Sequence, residues 1–511
     1  MITKQAISKY LARPRIDNSI WKRKKRAELD QAMRRLSVKP PIWFKLQRAQ
    51  KVCFLLGAQY QKFLFLADTG VGKTFLSIAL ARYFRKAGTV ESVLVLVPRR
   101  ANKHAWAKQV EKHSPKTTIE VLEGSSKHKW QQLEKQSLLF VDTYAGFVRM
   151  LCVKVQNRKG KNKLKPDRKL VKRIIGRFDG LIMDESTAVK NPRALPYRIC
   201  RQLAKRVPIV FGLTGTPFGT DPSDIWSQMY LIDNGTTLGE TLGLFRAAFF
   251  NSVQNQWGGY DHTFNQRKKK LLHTFLQNRS IRYKANQADL PAVNRIPRVI
   301  DLPEDANAYY QKARDALIAA RGNYQECKNT FLRMRQISSG FLGYKDDDTG
   351  TRAQYAFANN PKLDMLMADL ESIAPTSKSV VYVEYTYSID RIAAELKKAG
   401  IAFVAVDGRT KDPAKALSVF DDDDNIRVCI LQNSMVMGLN LQVAQYGIFY
   451  ESPVSAIMRK QAERRVERQH SKYKSVFLID MICKGTVDEQ ILEFHASGED
   501  LLKTIVEGIA T

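Results

Sequence analysis

The chain has 511 residues and no CxxC pair; its six cysteines (Cys53, Cys152, Cys200, Cys327, Cys429, Cys483) lie far apart. Such spacing excludes a zinc ribbon built on cysteine pairs and argues against a disulfide framework. The thiols read as small core residues in a reducing compartment. Long apolar runs are missing too. Stretches such as Val93–Val97 and Pro208–Leu213 fall far short of the ~20 residues a membrane-spanning helix needs. The N-terminal MITKQAISKYLARPRID lacks the apolar stretch of a signal peptide. There is no internal repeat and no long low-complexity tract. Negative charge is scarce: 50 Asp and Glu stand against 83 Lys and Arg, a formal net charge of +33. Solubility asks for a net charge of only roughly 2–8 per small domain. An excess this large points to a polyanionic partner, nucleic acid first, because neutralised phosphates release counterions.

Hydrophobic residues make up 44% of the chain and aromatic residues 10%, enough for several cores. At roughly 150 residues per domain the length predicts about three units. Residues 1–42 are polar and basic, with WKRKKR at Trp21–Arg26, and read as a helical extension. Then QKFLFLADTGVGKTFLSIALARYF reads as a strand, a glycine loop and an amphipathic helix. ESVLVLVP, SLLFVDTY, FDGLIMDES and VPIVFGLTGTP supply four more apolar strands with helical segments between several of them. Continuously apolar strands alternating with helices predict an α/β fold whose parallel sheet is covered on both faces. From Asp221 to about Arg282 strand patterns vanish, and 303–370 also reads as helical. Alternation returns with SVVYVEY, IAFVAVD, IRVCILQ, YGIFYES and SVFLIDM, so a second α/β lobe is expected. Two further basic stretches, Arg267–Lys270 and an exposed loop at Asn157–Lys169, strengthen the expectation of nucleic-acid contact.

ADTGVGKT at Ala67–Thr74 lies between a strand and a helix. Gly70 and Gly72 allow the backbone N–H groups to face a phosphate, and the helix N-terminus adds positive potential. Lys73 is placed to reach the terminal phosphates and Thr74 to ligate Mg²⁺. LIMDES at Leu181–Ser186 ends an apolar strand in adjacent acids. Asp184 fits the carboxylate that holds Mg²⁺, and Glu185 the one that polarises an attacking water. In QAERRVERQH, Arg465 and Arg468 stand at i and i+3 and so share a helical face. Either they are arginine fingers, or the helix is an exposed amphipathic one with Glu463 and Glu467 pairing locally.

In order, ADTGVGKT, MDESTAVKN, GLTGTPFGTDPSDIWSQM, FLRMRQISSGFL, VDGRT, MGLNLQVAQYGIFYE, QAERRVERQ and KGTVDEQIL resemble the helicase superfamily 2 motors, and within them the Swi/Snf-type ATPase core. The resemblance runs from about Ile42 to Leu502. It implies two RecA-like lobes with ATP between them, at 43–220 and 371–511, a helical protrusion at 221–295, and a linker with a second protrusion at 296–370. It implies duplex DNA tracked along its backbone, favoured over single strands or RNA. Carried onto this sequence, Gln47 reads adenine, and Asp68, Thr69, Gly70, Val71, Gly72, Lys73 and Thr74 hold phosphate. Thr214, Gly215 and Thr216 couple nucleotide state to the lobes; Gly438, Leu439 and Asn440 line the cleft; Arg465 and Arg468 are the fingers. Backbone-contact candidates are Pro98, Arg99, Thr143, Tyr144, Asp407, Gly408 and Thr410.

Three departures stand out. Thr187 replaces the histidine that links the acidic motif to the TGT segment, His470 and Ser471 replace a Gly-Gln pair, and Met437 stands where an acid often precedes the cleft glycine. The expected protein is a monomeric, ATP- and Mg²⁺-dependent duplex translocase without a membrane partner. A strand-separating helicase and a DNA-binding scaffold are the alternatives. A motor filling nearly the whole chain suits a compact bacterial or phage protein acting in the cytoplasm.

Overall fold

The computed structural model describes residues 3–38, 46–68, 71–156, 162–215, 222–254, 260–283, 291–319, 324–345, 351–436, 439, 441–467 and 471–497. The chain forms two compact units, Met1–Asn286 and Gln287–Thr511. The first is built on strands β1 (Lys62–Ala67), β2 (Val93–Val97), β3 (Ile119–Val121), β4 (Leu139–Thr143), β5 (Cys152–Gln156), β6 (Asn162–Pro166), β7 (Gly180–Asp184), β8 (Ile209–Thr214), β9 (Phe250–Gln254), β10 (Tyr260–Phe264) and β11 (Ser280–Tyr283). Its central sheet has the order β11-β1-β8-β7-β2-β4-β3 and is parallel throughout. Every residue of β2, β7 and β8 is buried, as a sheet covered on both faces requires. Alternation divides β2 between two cores: Leu94 and Leu96 face one, and Val93, Val95 and Val97 the other.

Helices α1 (Lys4–Leu11), α2 (Arg26–Arg34), α3 (Arg48–Tyr60), α4 (Lys73–Lys86), α5 (Arg100–His113), α6 (Ser126–Gln132), α7 (Tyr144–Leu151) and α8 (Arg168–Ile175) come from the first part of this unit. The N-terminal segment is helical as expected, but it is a strap rather than a free extension. Tyr10 and Leu29 are buried in the two cores of the unit. Asn18 donates to the carbonyls of Gln277 and Asn278 at 2.9 and 3.0 Å. Arg48, at the start of α3, donates to the Lys24 carbonyl. The strap therefore ties the segment before β11 to the helix that precedes β1.

Two expectations of purely helical structure are corrected. Within 221–282, β9 and β10 form an antiparallel hairpin, and β11 pairs with β1 at the sheet's edge. The basic stretch at Asn157–Lys169, expected as an exposed loop, contains β6 of the β5–β6 hairpin and the start of α8; residues 157–161 lie outside the described residues.

The second unit carries β12 (Ala292–Ile300), β13 (Phe341–Lys345), β14 (Arg352–Ala356), β15 (Lys378–Val383), β16 (Phe403–Val406), β17 (Val428–Gln432), β18 (Ala444–Phe449) and β19 (Ser475–Cys483). Its parallel sheet has the order β12-β19-β18-β15-β17-β16. The boundary expected at 295/296, between the first protrusion and the linker, thus falls inside a nine-residue strand of this sheet. That strand contains Pro297, paired across from Asp480. A missing N–H is tolerated there because β12 is an edge strand. β13 and β14 form a second correction, an antiparallel hairpin inside 303–370.

Across β12, β19 and the helix Ala456–Val466 runs a network of ions. Arg295 grips Glu463 with two 2.8 Å bonds, and Arg459 reaches both Glu463 and Asp480 while stacking on Phe449. Burial opposes the Glu463 charge, but the Arg295 and Arg459 guanidiniums outweigh it and hold the carboxyl at about 2. A depressed carboxyl stabilises the fold above its unfolded value and loses that contribution as pH falls through the folded one. Glu463→Gln is expected to cost roughly 3 kcal/mol at neutral pH. In denaturant titrations the gap from wild type should narrow below about pH 4.3 and close near pH 2. A gap unchanged with pH would show that packing, not charge, is what the carboxylate contributes.

Candidate active site

The carboxyl ends of β1, β7 and β8 bring the expected phosphate loop and acidic motif together. Gly72 closes the loop with φ +82°, a conformation that favours glycine, and a Cβ there would lie 2.5 Å from the Gln50 amide nitrogen. α4 starts at Lys73, whose ammonium donates to the Ala67 carbonyl at 2.9 Å and lies 3.9 Å from a Glu185 oxygen. Thr74, in the first turn, is partly buried, as are Asp68 and Val71. Gly215 follows β8 so closely against the loop that a Cβ would stand 3.2 Å from the Ala67 oxygen and 3.3 Å from Asp68 Cα. Thr69, Gly70 and Thr216 lie outside the described residues.

Asp184 is 9% exposed. Its carboxylate accepts from the Trp106 indole N–H at 2.9 Å, and its main-chain carbonyl accepts from the Tyr144 hydroxyl at 2.9 Å. Burial pushes its carboxyl up, the Glu185 charge adds to that, and the Trp106 bond and Lys73 charge pull it down. Such a group gains from a nearby cation. Glu185 adopts φ 47° and ψ 63°, a left-handed conformation that a non-glycine residue holds only where its surroundings impose it. The Thr214 hydroxyl donates to its carboxylate at 3.3 Å. Ser186 next to it donates to Gln228 at 2.7 Å. The link between the acidic motif and the TGT segment is therefore made by Thr214, despite Thr187 standing in place of a histidine.

A glycine-lined loop, an ammonium, a helix-start threonine and a buried acid beside a second carboxylate fit a magnesium nucleotide. Lys73 and the loop N–H groups are the phosphate ligands this implies, and Thr74 and Asp184 the Mg²⁺ ligands.

Among the sequence assignments, Tyr144 as a nucleic-acid contact is corrected, and Gln50 is added beside Gln47. Gln47 is an exposed residue at the start of α3, where its N–H donates to Gln50 at 3.0 Å. It is Gln50 that reaches the phosphate loop, donating to the Val71 carbonyl at 3.1 Å. The spacing Gln-x-x-Gln at a helix start was the available signal. Tyr144 is 5% exposed and bonded to the acidic strand, so it is not a nucleic-acid contact. Thr143 spends its hydroxyl capping α7 through the Gly146 N–H. Pro98 and Arg99 remain partly exposed at the end of β2.

The remaining candidates lie in the second unit. Arg465 stands in the helix Ala456–Val466, which is capped at Glu467. Arg465 is 4% exposed and donates to the Leu439 carbonyl at 3.2 Å. Gly438, Asn440, Arg468 and His470 lie outside the described residues. Asp407, Gly408 and Thr410 form a tight turn. The Thr410 hydroxyl accepts from the Asp407 N–H, buried Asp407 pairs with exposed Arg409, and of the three candidates Gly408 is the exposed one. Burial opposes the Asp407 charge, yet its bonds with Arg409 keep the carboxyl below its ordinary value.

Residues 47–345 match the SNF2-related domain and residues 361–470 the helicase conserved C-terminal domain. Among similar proteins, a SWI/SNF-related matrix-associated actin-dependent regulator of chromatin subfamily A-like protein 1 from Drosophila melanogaster is 22% identical over 92% of this chain and 57% of its own length. A putative protein p41 from Acyrthosiphon pisum secondary endosymbiont phage 1 is 24% identical, over 87% of this chain and 94% of its own length. The chain spans about half the length of the eukaryotic relatives it matches. A Sulfolobus solfataricus SWI2/SNF2 ATPase core in complex with dsDNA overlaps 93% of this chain and 95% of its own, at 19% identity and a TM-score of 0.40. With the first match extending over more than half of its residues, this chain belongs to the SNF2-related family.

Proposed function

We propose that the protein hydrolyses ATP to ADP and phosphate and uses the cycle to move along double-stranded DNA, remodelling DNA structures or protein–DNA complexes. The observation that carries the reading is the convergence of Lys73, Asp184, Glu185 and Thr214 at the carboxyl ends of neighbouring strands. Lys73 draws the phosphates onto the loop, and Glu185 orients a water and accepts its proton. Thr214 senses the Glu185 carboxylate as charge leaves the site. Bound Mg²⁺ supplies charge neutralisation on the phosphates, with Thr74 and Asp184 as its ligands. Arg468 in the second unit supplies positive charge to the departing phosphate. Relatives carry names such as probable ATP-dependent DNA helicase, and the charge of +33 supports a phosphodiester substrate.

Trp106 and Tyr144 add a physical route for stimulation by DNA. They lie on α5 and α7, which follow β2 and β4, and both hold Asp184. A shift of α5 moves the donor on the Asp184 carboxylate, and a shift of α7 moves the donor on its main-chain carbonyl. A hydrogen bond to a charged group is worth about 1.5–3 kcal/mol, so Trp106→Phe should reduce turnover about ten- to a hundredfold. Nucleotide affinity should change far less. Unchanged turnover would reduce Trp106 to a packing residue.

The reading is tested by ATPase rates with no nucleic acid and with duplex, single-stranded, forked DNA and RNA, beside Lys73→Ala. Stimulation by plain duplex without strand release from a labelled fork is the expected result. Stimulation by single strands or forks with release would make it a strand-separating helicase. Activity no higher than Lys73→Ala would leave a DNA-binding scaffold.

A further inference from the structure

The first unit carries a concentrated positive surface that the nucleotide chemistry does not use. Between α7 and β7 the chain makes the β5–β6 hairpin and then α8. Lys154, Lys163, Lys165, Arg168, Lys169 and Lys172 are all exposed there, and among the described residues none forms an ion pair with a carboxylate. The one acid between Cys152 and Phe178 is Asp167, and it is spent on capping α8 through the N–H groups of Lys169 and Leu170. α8 buries Val171 and Ile174 and turns its cations outward. Like charges held this close repel one another; among the described residues the one ion pair on this arm is Arg173 with Glu134 at 3.9 Å, and it leaves these six cations unpaired.

The place of this arm matters as much as its charge. Lys169 and Lys172 line a groove of about 1150 Å³ together with Ser92 and Leu138, the residues that precede β2 and β4. It therefore opens at the amino ends of the strands, whereas the phosphate loop, Asp184 and Thr214 stand at their carboxyl ends. Five residues of β2 separate the two edges, about 17 Å at the rise of a strand.

We infer that the β5–β6 hairpin and α8 form a second DNA-binding surface, which holds a duplex segment other than the one on which the motor acts. The composition selects this occupant. A protein partner is held by an apolar or aromatic centre, and lysine is depleted at such interfaces; here lysines dominate. A single strand is held by aromatic faces on which bases stack. Trp130, the aromatic residue lining the groove, has the Arg173 guanidinium over its ring at 4.4 Å. Glu91 and Glu134 also line the groove but are outnumbered by its six lysines and arginines, and the exposed lysines of the hairpin and α8 are point charges without stacking partners, suited to the phosphates of a duplex whatever its sequence. A protein that grips one segment while moving another can draw two parts of a DNA molecule together. The inference rests on the proposed duplex motor for its ligand class, but its test does not need hydrolysis.

Two short duplexes, one carrying a donor dye and the other an acceptor, are mixed with the full chain at low salt, and energy transfer between them is read. The wild type and Lys73→Ala are both expected to bring the duplexes together. The combined variant Lys163→Gln, Lys165→Gln, Lys169→Gln, Lys172→Gln should not, while its duplex-stimulated ATPase stays at the wild-type level and so reports an intact fold. The salt slope of the weaker binding step should fall by about 0.9 for each phosphate contact removed. Bridging by the variant equal to wild type, or no bridging by wild type, overturns the inference. A parallel loss of ATPase stimulation also overturns it, because the arm would then belong to the motor's own track. Displacement of the duplexes by polyglutamate but not by further duplex would assign the surface to an acidic protein instead. Bridging that depends on the four lysines in a chain whose ATPase ignores DNA would sink the motor reading and leave the second surface standing.

Discussion

Replacing Glu185 with glutamine is expected to lower ATP turnover by about 10²–10⁴-fold, the range a positioned general base contributes, and to leave ATP bound. The substitution isolates chemistry from structure. Glutamine has the same size, and the left-handed backbone at this position costs the two residues alike. Its carbonyl can still accept the Thr214 hydroxyl, so the link to the end of β8 survives. The Lys73 ammonium keeps its bond to the Ala67 carbonyl and loses only a carboxylate 3.9 Å away, which frees it for phosphate. Turnover at saturating ATP and the affinity for a fluorescent ATP analogue, measured on one preparation, separate the alternatives. Unchanged turnover would move the base elsewhere. Equal losses of binding and turnover would mean that Glu185 acts by holding Lys73.

The contrast between the two halves of that site shows what kind of information a sequence carries. The phosphate loop and the Asp184–Glu185 pair were legible because each is a short string whose chemistry depends on its immediate neighbours. The continuously apolar strands β2, β4, β7 and β8 were legible because burial on both faces leaves no room for polar residues. Edge strands lack that signature. β12 exposes Asn294, Arg295, Pro297 and Val299, so it reads as a linker until its partner β19 is in place. β11 is four residues long, with Arg282 exposed, and was hidden in a helical stretch for the same reason.

Roles set by tertiary contact were also out of reach. Gln47 and Gln50 differ by three positions, and only the fold of the loop against α3 places Gln50 on Val71. Tyr144 looked like a surface residue at the end of a strand, yet its hydroxyl turns inward to Asp184, 40 positions away in sequence. Trp106 carried a weak signal, since a buried indole N–H needs an acceptor; that the acceptor is the Mg²⁺-ligand candidate could not be read from spacing. The strap was misjudged because its apolar residues, Ile7, Tyr10 and Leu11 on α1 and Leu29 and Met33 on α2, are separated by a dense basic stretch that reads as solvated.

The two arginines that the sequence treats as equals should behave differently when truncated. Arg465 is buried within the second unit, with its guanidinium on the Leu439 carbonyl and its own carbonyl accepting from the Leu441 N–H. It thereby pins the segment before β18 to the helix Ala456–Val466. Arg465→Ala removes a charged donor from a buried acceptor and leaves a cavity, at a cost of roughly 2–4 kcal/mol of stability. Its loss of ATPase activity should therefore come with a lower unfolding temperature. Arg468 follows the end of that helix, and in the proposed mechanism it meets charge only as the phosphate departs. Arg468→Ala should lose about 10³–10⁵ in turnover, with thermal stability and ATP affinity close to wild type. Turnover, ATP-analogue affinity and thermal unfolding of both variants decide the matter. A stable Arg465→Ala protein with intact ATP binding and no turnover would make Arg465 a finger after all, and the Leu439 contact incidental. A parallel fall of binding and turnover in Arg468→Ala would remove the transition-state role from that residue. Lysine at 468 sharpens the distinction, because it restores charge without the planar fork. Rescue by Arg468→Lys would mean that charge alone is needed, and failure would mean that the guanidinium must engage more than one phosphate oxygen.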